Sequence, residues 1–244
     1  MIFAAGLGTR LRPLTDHRPK ALVEVAGLPL LEHQLRKLRR AGFTRVVVNV
    51  HHFGEQIIDY MNAREKDGLE LLISDERGAL LDTGGGLSHA LPLFAEAPVL
   101  VHNVDIVSDL DLEALWHAHL SAARPPLATL AVNERSTSRY LLTDGQQSLR
   151  GWMNIKSGEV KSPIPGFDAT RAVRRAFLGV HVVDPQMFPL LRPHDGAFSI
   201  IDFYLSVAGS HEIRLWDAPK DLRWVDAGKP EALASAAEIL SVYN

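Results

Sequence analysis

The chain of 244 residues contains no cysteine. Disulfides, thiol nucleophiles and zinc sites built on thiolates are therefore excluded. The absence fits a reducing compartment. Net charge is also scarce: 26 Lys plus Arg against 29 Asp plus Glu leaves −3. That balance argues against a general nucleic-acid or anionic-membrane binder. No apolar run reaches the roughly 18 residues of a membrane-spanning helix. The apolar start, Met1 to Ala5, is interrupted by Gly6 and Gly8 and followed by Arg10 and Arg12. A signal peptide carries its charges first and has a longer apolar stretch. A cytoplasmic protein with no membrane and no nucleic-acid partner is the expectation.

What remains is ordinary globular composition, 46% hydrophobic and 23% charged, which excludes a disordered chain. At roughly 100–200 residues per domain, the length gives one large domain or one domain with a small annex. Such a chain buries roughly 70% of its unfolded surface, so a real core is available.

Periodicity divides the chain. In the first half, apolar strands (Met1 to Ala5, Arg45 to Val50, Leu69 to Ile73, Pro98 to His102, Leu127 to Val132) alternate with helical patterns. Those helices run over Pro29 to Arg40, Glu55 to Arg64, Gly84 to Phe94 and Leu112 to Ala122. The alternation predicts βαβ units and a mostly parallel sheet. Beyond residue 135, Tyr140 to Thr143, Arg150 to Asn154 and Ala176 to Val183 read as strands joined by turns. They predict an antiparallel elaboration of the same sheet. Helices at Pro185 to Leu191, Ile200 to Val207 and Pro230 to Leu240 follow, with strands near Ile213 to Trp216 and Arg223 to Val225. No internal repeat or long linker divides the chain, so a single domain is expected.

The most informative stretch is Phe3-Ala4-Ala5-Gly6-Leu7-Gly8-Thr9-Arg10-Leu11-Arg12-Pro13-Leu14-Thr15, closed by Pro19-Lys20. A strand feeding a glycine turn lets backbone N–H groups approach an anion without Cβ interference. Arg10 and Lys20 add cations suited to phosphate oxygens. The loop is not a Walker A, because no Gly-Lys-Ser/Thr closes it. It is not a dinucleotide fingerprint, because Leu11 stands at the third glycine position. A bare Gly-x-Gly would read as a plain surface turn; the longer combination reverses that.

That combination resembles the signature of the sugar-1-phosphate nucleotidyltransferases, the nucleotide-diphospho-sugar pyrophosphorylases. The resemblance continues through Ala21-Leu22-Val23-Glu24-Val25-Ala26-Gly27-Leu28-Pro29-Leu30-Leu31 and reaches Trp224-Val225-Asp226-Ala227-Gly228. It implies a Rossmann-like three-layer α/β/α fold, with a nucleotide-binding half over 1–135 and a sugar-binding half over 136–244. It implies that Ala5, Gly6, Gly8, Thr9 and Arg10 wrap a nucleoside triphosphate and that Lys20 meets its α-phosphate. Asp105 and Asp226 match the family's two metal-binding aspartates, which implies Mg2+ as cofactor. The resemblance also implies Asn103 as a nucleotide neighbour. Leu81-Asp82-Thr83-Gly84-Gly85-Gly86 is shared with short enzymes resembling N-acetylmuramate-1-phosphate uridylyltransferase, and it implies Thr83, Gly84 and Gly85 as base or ribose neighbours; the alternative is a flexible βα loop. Phe177-Leu178-Gly179-Val180 resembles the strand whose glycine lies beside the sugar, with Asn154 and Asp202 as further sugar neighbours. Two features depart from the family. Val104 replaces the usual glycine before Asp105, which implies less space there. The first strand is short, as a truncated start would leave it.

The implied reaction joins a nucleoside triphosphate to a sugar 1-phosphate and expels pyrophosphate. A phosphate monoester has its second pKa near ~6, so the nucleophile is already ionised and no strong protein base is needed. Arg10, Lys20 and Asp105, with metal, would offset anion–anion repulsion. Alternatives are a mannose-1-phosphate guanylyltransferase, a phosphocholine cytidylyltransferase-like enzyme, an inactive nucleotide-sugar-binding module, or a glycosyltransferase using Asp109-Leu110-Asp111. Asp109 and Asp111 fit a helix start better, and Asp226 alone could cap the turn before Gly228. His51-His52 and His117/His119 have poor chelating geometry. Arg36, Lys37, Arg39 and Arg40 read as a solvated helix face. Arg171, Arg174 and Arg175 read as surface or as a sugar-phosphate contact. Trp152, Trp216 and Trp224 read as core.

Overall fold

Val46, Val47, Val48 and Val50 lie in one strand yet pack into two different cores, Val47 on one side and the others on the opposite side. Side chains alternate across a strand, so a strand apolar at every position must be covered on both faces. The computed structural model, which describes residues 1–65, 67–122 and 124–241, shows that cover.

The elements in chain order are β1 (Ile2–Phe3), β2 (Glu24–Val25), β3 (Leu28–Pro29), α1 (Leu30–Arg40), β4 (Arg45–Val50), α2 (Gly54–Ala63) and β5 (Glu70–Asp75). Next come α3 (Asp82–Ala90), β6 (Val99–Asn103), β7 (Ile106–Ser108), α4 (Leu112–Leu120) and β8 (Ala128–Asn133). The second half holds β9 (Arg139–Thr143), β10 (Leu149–Asn154), β11 (Val160–Lys161), β12 (Val173–Val183), α5 (Phe188–Leu191), α6 (Ile200–Val207), β13 (Ile213–Asp217), β14 (Trp224–Asp226) and α7 (Leu233–Leu240).

The large sheet runs β11-β10-β9-β12-β6-β1-β4-β5, with β8 between β12 and β13. Strands β6, β1, β4 and β5 are parallel, as the βαβ alternation predicts. The elaboration is antiparallel: β12 pairs with β6, β8 and β9, and β9 with β10. One face is covered by α1, α2, α4 and α7, whose Leu35, Ile57, Leu115 and Ile239 share a core. The other is covered by α3, α5 and α6 through Leu87, Leu191 and Tyr204. The result is a three-layer α/β/α fold.

Local chemistry sets the helix ends. Asp111 accepts from Ala114 N at 2.9 Å and starts α4, the role expected for it. Ser199 caps α6 through Ile201 N. The basic run of α1 corrects the expectation of a solvated face. Arg36 pairs with Glu32 and Arg39 with Asp67. Lys37 instead turns inward and donates to Ser108 O at 2.7 Å. Burial pulls its pKa down to about 8, against the pull of Asp109. A long stem lets a lysine at a helix edge reach a buried carbonyl. Among the described residues, no helix is long and apolar enough to cross a membrane.

Candidate active site

Strand β1 delivers the glycine loop to the C-terminal end of the parallel strands, between β4 and β6. Gly8 has φ +66°, a conformation that strains any side chain, and Thr15 Oγ1 donates to its carbonyl at 2.8 Å. The loop thereby folds back on itself and brings Lys20 beside Gly6.

Asp105 occupies the turn where the chain leaves β6 in the large sheet and enters β7 in a separate two-stranded ribbon with β14. Gln34 of α1 donates to Ile106 O at 2.8 Å, and Ala227 N donates to Asp105 O at 2.8 Å. Val104, the departure from the family pattern, is fully buried in the core with α1. Its side chain therefore does not crowd the carboxylate.

Four charged groups converge there. Lys20 Nζ lies 2.7 Å from Asp105 Oδ2. Arg10 Nη1 lies 3.2 Å from Asp226 Oδ2, and its Nη2 is 4.0 Å from Asp105 Oδ2. Asp226 Oδ1 also accepts from Gly228 N at 2.9 Å, so the turn-capping role coexists with the ion pair. A Cβ on Gly228 would lie 2.7 Å from Asp226 Oδ1 and 3.0 Å from Asp105 Oδ2. The two carboxylates thus face one small space that only glycine leaves open. No group of three or more metal-ligating side chains occurs among the described residues. Two hard oxygen donors fit an ion that completes its shell with phosphate and water, as Mg2+ does.

A pocket of about 390 Å³ adjoins the carboxylates. It is lined by Ala5, Gly6, Lys20, Thr83, Asn103 and Asp105 among the expected residues, and by Asn49 and Glu76, which sequence reasoning missed. Asn49 is buried in β4. Its Oδ1 accepts from Ala4 N at 2.6 Å and Ala5 N at 3.3 Å, while its Nδ2 donates to Glu76 Oε1 at 2.9 Å. Glu76 Oε2 is buried without a partner, and burial raises the carboxyl above its ordinary value, opposed by the Asn49 bond. The available signal was an asparagine inside an otherwise apolar strand.

Other expected residues do not line this pocket. Thr9 and Arg10 are exposed on the outer loop. Gly84 and Gly85 do not line the pocket: both amides donate to Phe198 O, and a Cβ on Gly84 would lie 2.4 Å from the Phe198 ring. Their small size serves the close packing of α3 on residues 196–198. Asn154 Oδ1 accepts from Lys156 N at a turn, and Asp202 pairs with Lys161. Neither joins the carboxylates. Gly179 packs against Asn103 and Ile106, the residues on either side of the turn that carries Asp105. Of the second basic run, Arg175 pairs with Asp217 and Arg171 with Asp168.

Residues 1–144 match the family described as nucleotidyl transferase. The chain is 38% identical over 242 residues to an N-acetylmuramate alpha-1-phosphate uridylyltransferase of Caulobacter vibrioides, covering 97% of this chain and 94% of that one. It is 26% identical to a mannose-1-phosphate guanyltransferase of Debaryomyces hansenii, covering 96% of this chain and 62% of the relative. Among solved structures, the UDP-glucose pyrophosphorylase of Acinetobacter baumanii superposes with TM-score 0.78 at 15% identity, over 100% of this chain and 93% of that one. HddC of Yersinia pseudotuberculosis, complexed with GMP-PN, superposes with TM-score 0.72 at 19% identity, over 97% and 96% of the two chains. With that match over more than half its length and a full-length relative at this identity, the chain belongs to the nucleotidyl transferase family and is a nucleotidyltransferase enzyme.

Proposed function

We propose that this sugar-1-phosphate nucleotidyltransferase joins UTP to N-acetylmuramate 1-phosphate, giving UDP-N-acetylmuramate and pyrophosphate. The observation that carries the reading is the 38% identity to the Caulobacter vibrioides uridylyltransferase over nearly the whole of both chains. A phosphate oxygen of the sugar 1-phosphate forms a bond to the α-phosphorus. The bond from that phosphorus to the bridging oxygen breaks, and its electron pair leaves on pyrophosphate. No proton need be removed from the nucleophile, since its second pKa is about 6.

The residues of this chain would neutralise and align. Ala5, Gly6 and Gly8 offer backbone to the triphosphate, with Thr9 at the loop's end. Arg10 reaches the outer phosphates, and Lys20 sits where charge builds on the α-phosphate. Asp105 and Asp226 would hold Mg2+, which supplies charge neutralisation to the phosphates when bound. Thr83 and Asn103 line the nucleotide pocket, whose wall Gly84 and Gly85 support from behind. The Glu76 carboxyl is positioned to accept an N–H from the base. Residues 1–135 build this nucleotide side, and 136–244 bring Gly179 for the sugar. The absence of cysteine agrees with a cytoplasmic setting.

Guanine also presents N–H donors that a carboxylate accepts, and the Debaryomyces hansenii relative favours a guanylyltransferase as the second reading. Pyrophosphate release across a matrix of nucleoside triphosphates and sugar 1-phosphates, with and without Mg2+, separates the two. Highest kcat/KM with UTP and N-acetylmuramate 1-phosphate is expected; preference for another pair refutes the proposal.

A further inference from the structure

Strand β12 breaks register as it passes Asn103 and Ile106. Phe177 pairs with Val132 and His181 with Leu130 on β8, so Leu178, Gly179 and Val180 stand against Ala131 alone. Gly179 has φ +75°, and a Cβ there would lie 2.9 Å from Asn103 Nδ2 and 2.8 Å from Ile106 Cγ1. Asn103 and Ile106 flank the turn that carries Asp105. Such a bulge takes backbone groups out of the ladder, and buried ones need other partners.

Two side chains supply them. Arg135 Nη2 donates to Phe177 O at 3.0 Å, and Trp224 Nε1 donates to Leu178 O at 3.0 Å. The two partners also lean on each other, with the guanidinium carbon 4.0 Å from the indole centroid. Trp224 begins β14, the strand that ends at Asp226. Arg135 Nε is buried without a partner. A half-buried cation with an unmet N–H is a costly way to bind one carbonyl.

The pocket that holds Ala5, Gly6 and Thr83 has Asn103 and Asp105 in its lining, and none of Gly179, Arg135, Trp224 or Asp226 belongs to it. The nucleotide side and the bulge side thus meet at Asp105. We infer that Arg135 and Trp224 are positioning residues for the second substrate: together they hold the Leu178–Gly179 bulge against Asn103 and fix the strand that presents Asp226. The inference rests on the sugar-1-phosphate reading for the identity of that substrate.

Steady-state kinetics of Arg135→Met and Trp224→Phe test it. Each substitution is expected to raise KM for the sugar 1-phosphate by about tenfold, with KM for the triphosphate within about twofold. Trp224→Phe keeps a ring beneath the guanidinium and loses only the N–H; Arg135→Lys keeps the charge, loses the fork and is expected to give a smaller rise than Arg135→Met. Because both side chains act through one bulge, the double variant should be no worse than the weaker-binding single. Equal rises in both KM values, or additive effects, overturn the proposal. Hydrogen exchange reads the clamp without turnover: amides 177–181 should exchange faster in Arg135→Met while amides 4–9 do not change. Unchanged exchange at 177–181 also overturns it. If the unaltered enzyme uses no sugar 1-phosphate, the substrate reading fails separately, and the exchange result still decides the clamp.

Discussion

Lys20 Nζ is held 2.7 Å from Asp105 Oδ2, with both side chains largely shielded from solvent. An ammonium at the head of the glycine loop is thereby fixed to the turn between two sheets. Lys20→Met is expected to lower kcat by about a hundredfold or more, with KM for the triphosphate changed far less. Initial-rate kinetics with saturating sugar 1-phosphate measure this. A rise in KM at unchanged kcat would assign Lys20 to ground-state binding instead.

Gly228→Ala places a methyl group 2.7 Å from Asp226 Oδ1 and 2.7 Å from Arg10 Nη2. The carboxylates would have to part. Titration with Mn2+ in the presence of the triphosphate should show affinity reduced by about tenfold or more, as for a displaced ligand pair. Unaltered Mn2+ affinity would show that the two aspartates do not share an ion.

Asn49→Leu leaves Ala4 N, Ala5 N and Glu76 without their buried partner. Each orphaned group costs about 1–3 kcal/mol, so urea denaturation should show a loss of about 2–4 kcal/mol after relaxation. Asn49→Asp keeps the acceptor and sets a second carboxyl against Glu76, so its loss should grow as pH rises. A loss that does not vary with pH would contradict the Asn49–Glu76 contact.

Glu76 titrates above its ordinary 4.5 because burial disfavours the carboxylate. A raised pKa means the folded state binds its proton more tightly, so this contribution is full below 4.5 and is lost as pH rises through the folded value. Glu76→Gln should therefore raise Tm at pH 8, with the gain vanishing near pH 4. A gain that is constant across that range would rule out titration as the cause.

His102 and His181 are fully buried, and burial pulls each down to about 3 from 6.5. Here the unfolded chain binds the extra protons. Stability should be full above pH 6.5 and fall as pH drops toward 3, by about 1.4 kcal/mol per pH unit for each histidine in the linear range. His181→Phe keeps a ring beside Tyr204 and should shallow the slope by one histidine's share. Urea midpoints between pH 7.5 and 5 decide it.

The βαβ half and the glycine loop were legible because each is written locally, as a period or a contiguous motif. Val46, Val47, Val48 and Val50 announced a strand. Asn49 stood out only as a polar residue in that strand, since its meaning lies in contacts with Ala4, Ala5 and Glu76, all distant in sequence. Lys37 was misread for the same reason: four basic residues within five positions look solvated until Ser108 is placed beneath one of them. Gly84 and Gly85 looked like a ligand surface, but residues 196–198 fill that space. Thr83 and Asn103 did reach the pocket. Arg135 carried no motif at all, and only the register break in β12 gives it a task.

The ribbon of β7 and β14 brings together groups that synthesis separates widely. Arg10 and Asp226 are 216 residues apart in the chain. A nascent chain that has emerged only through β13 owns the glycine loop, Lys20 and Asp105, but not the second carboxylate or the indole that braces β12. Strand β14, made after every other described strand, therefore closes the acidic pair, and an interrupted chain would carry the glycine loop without its second carboxylate.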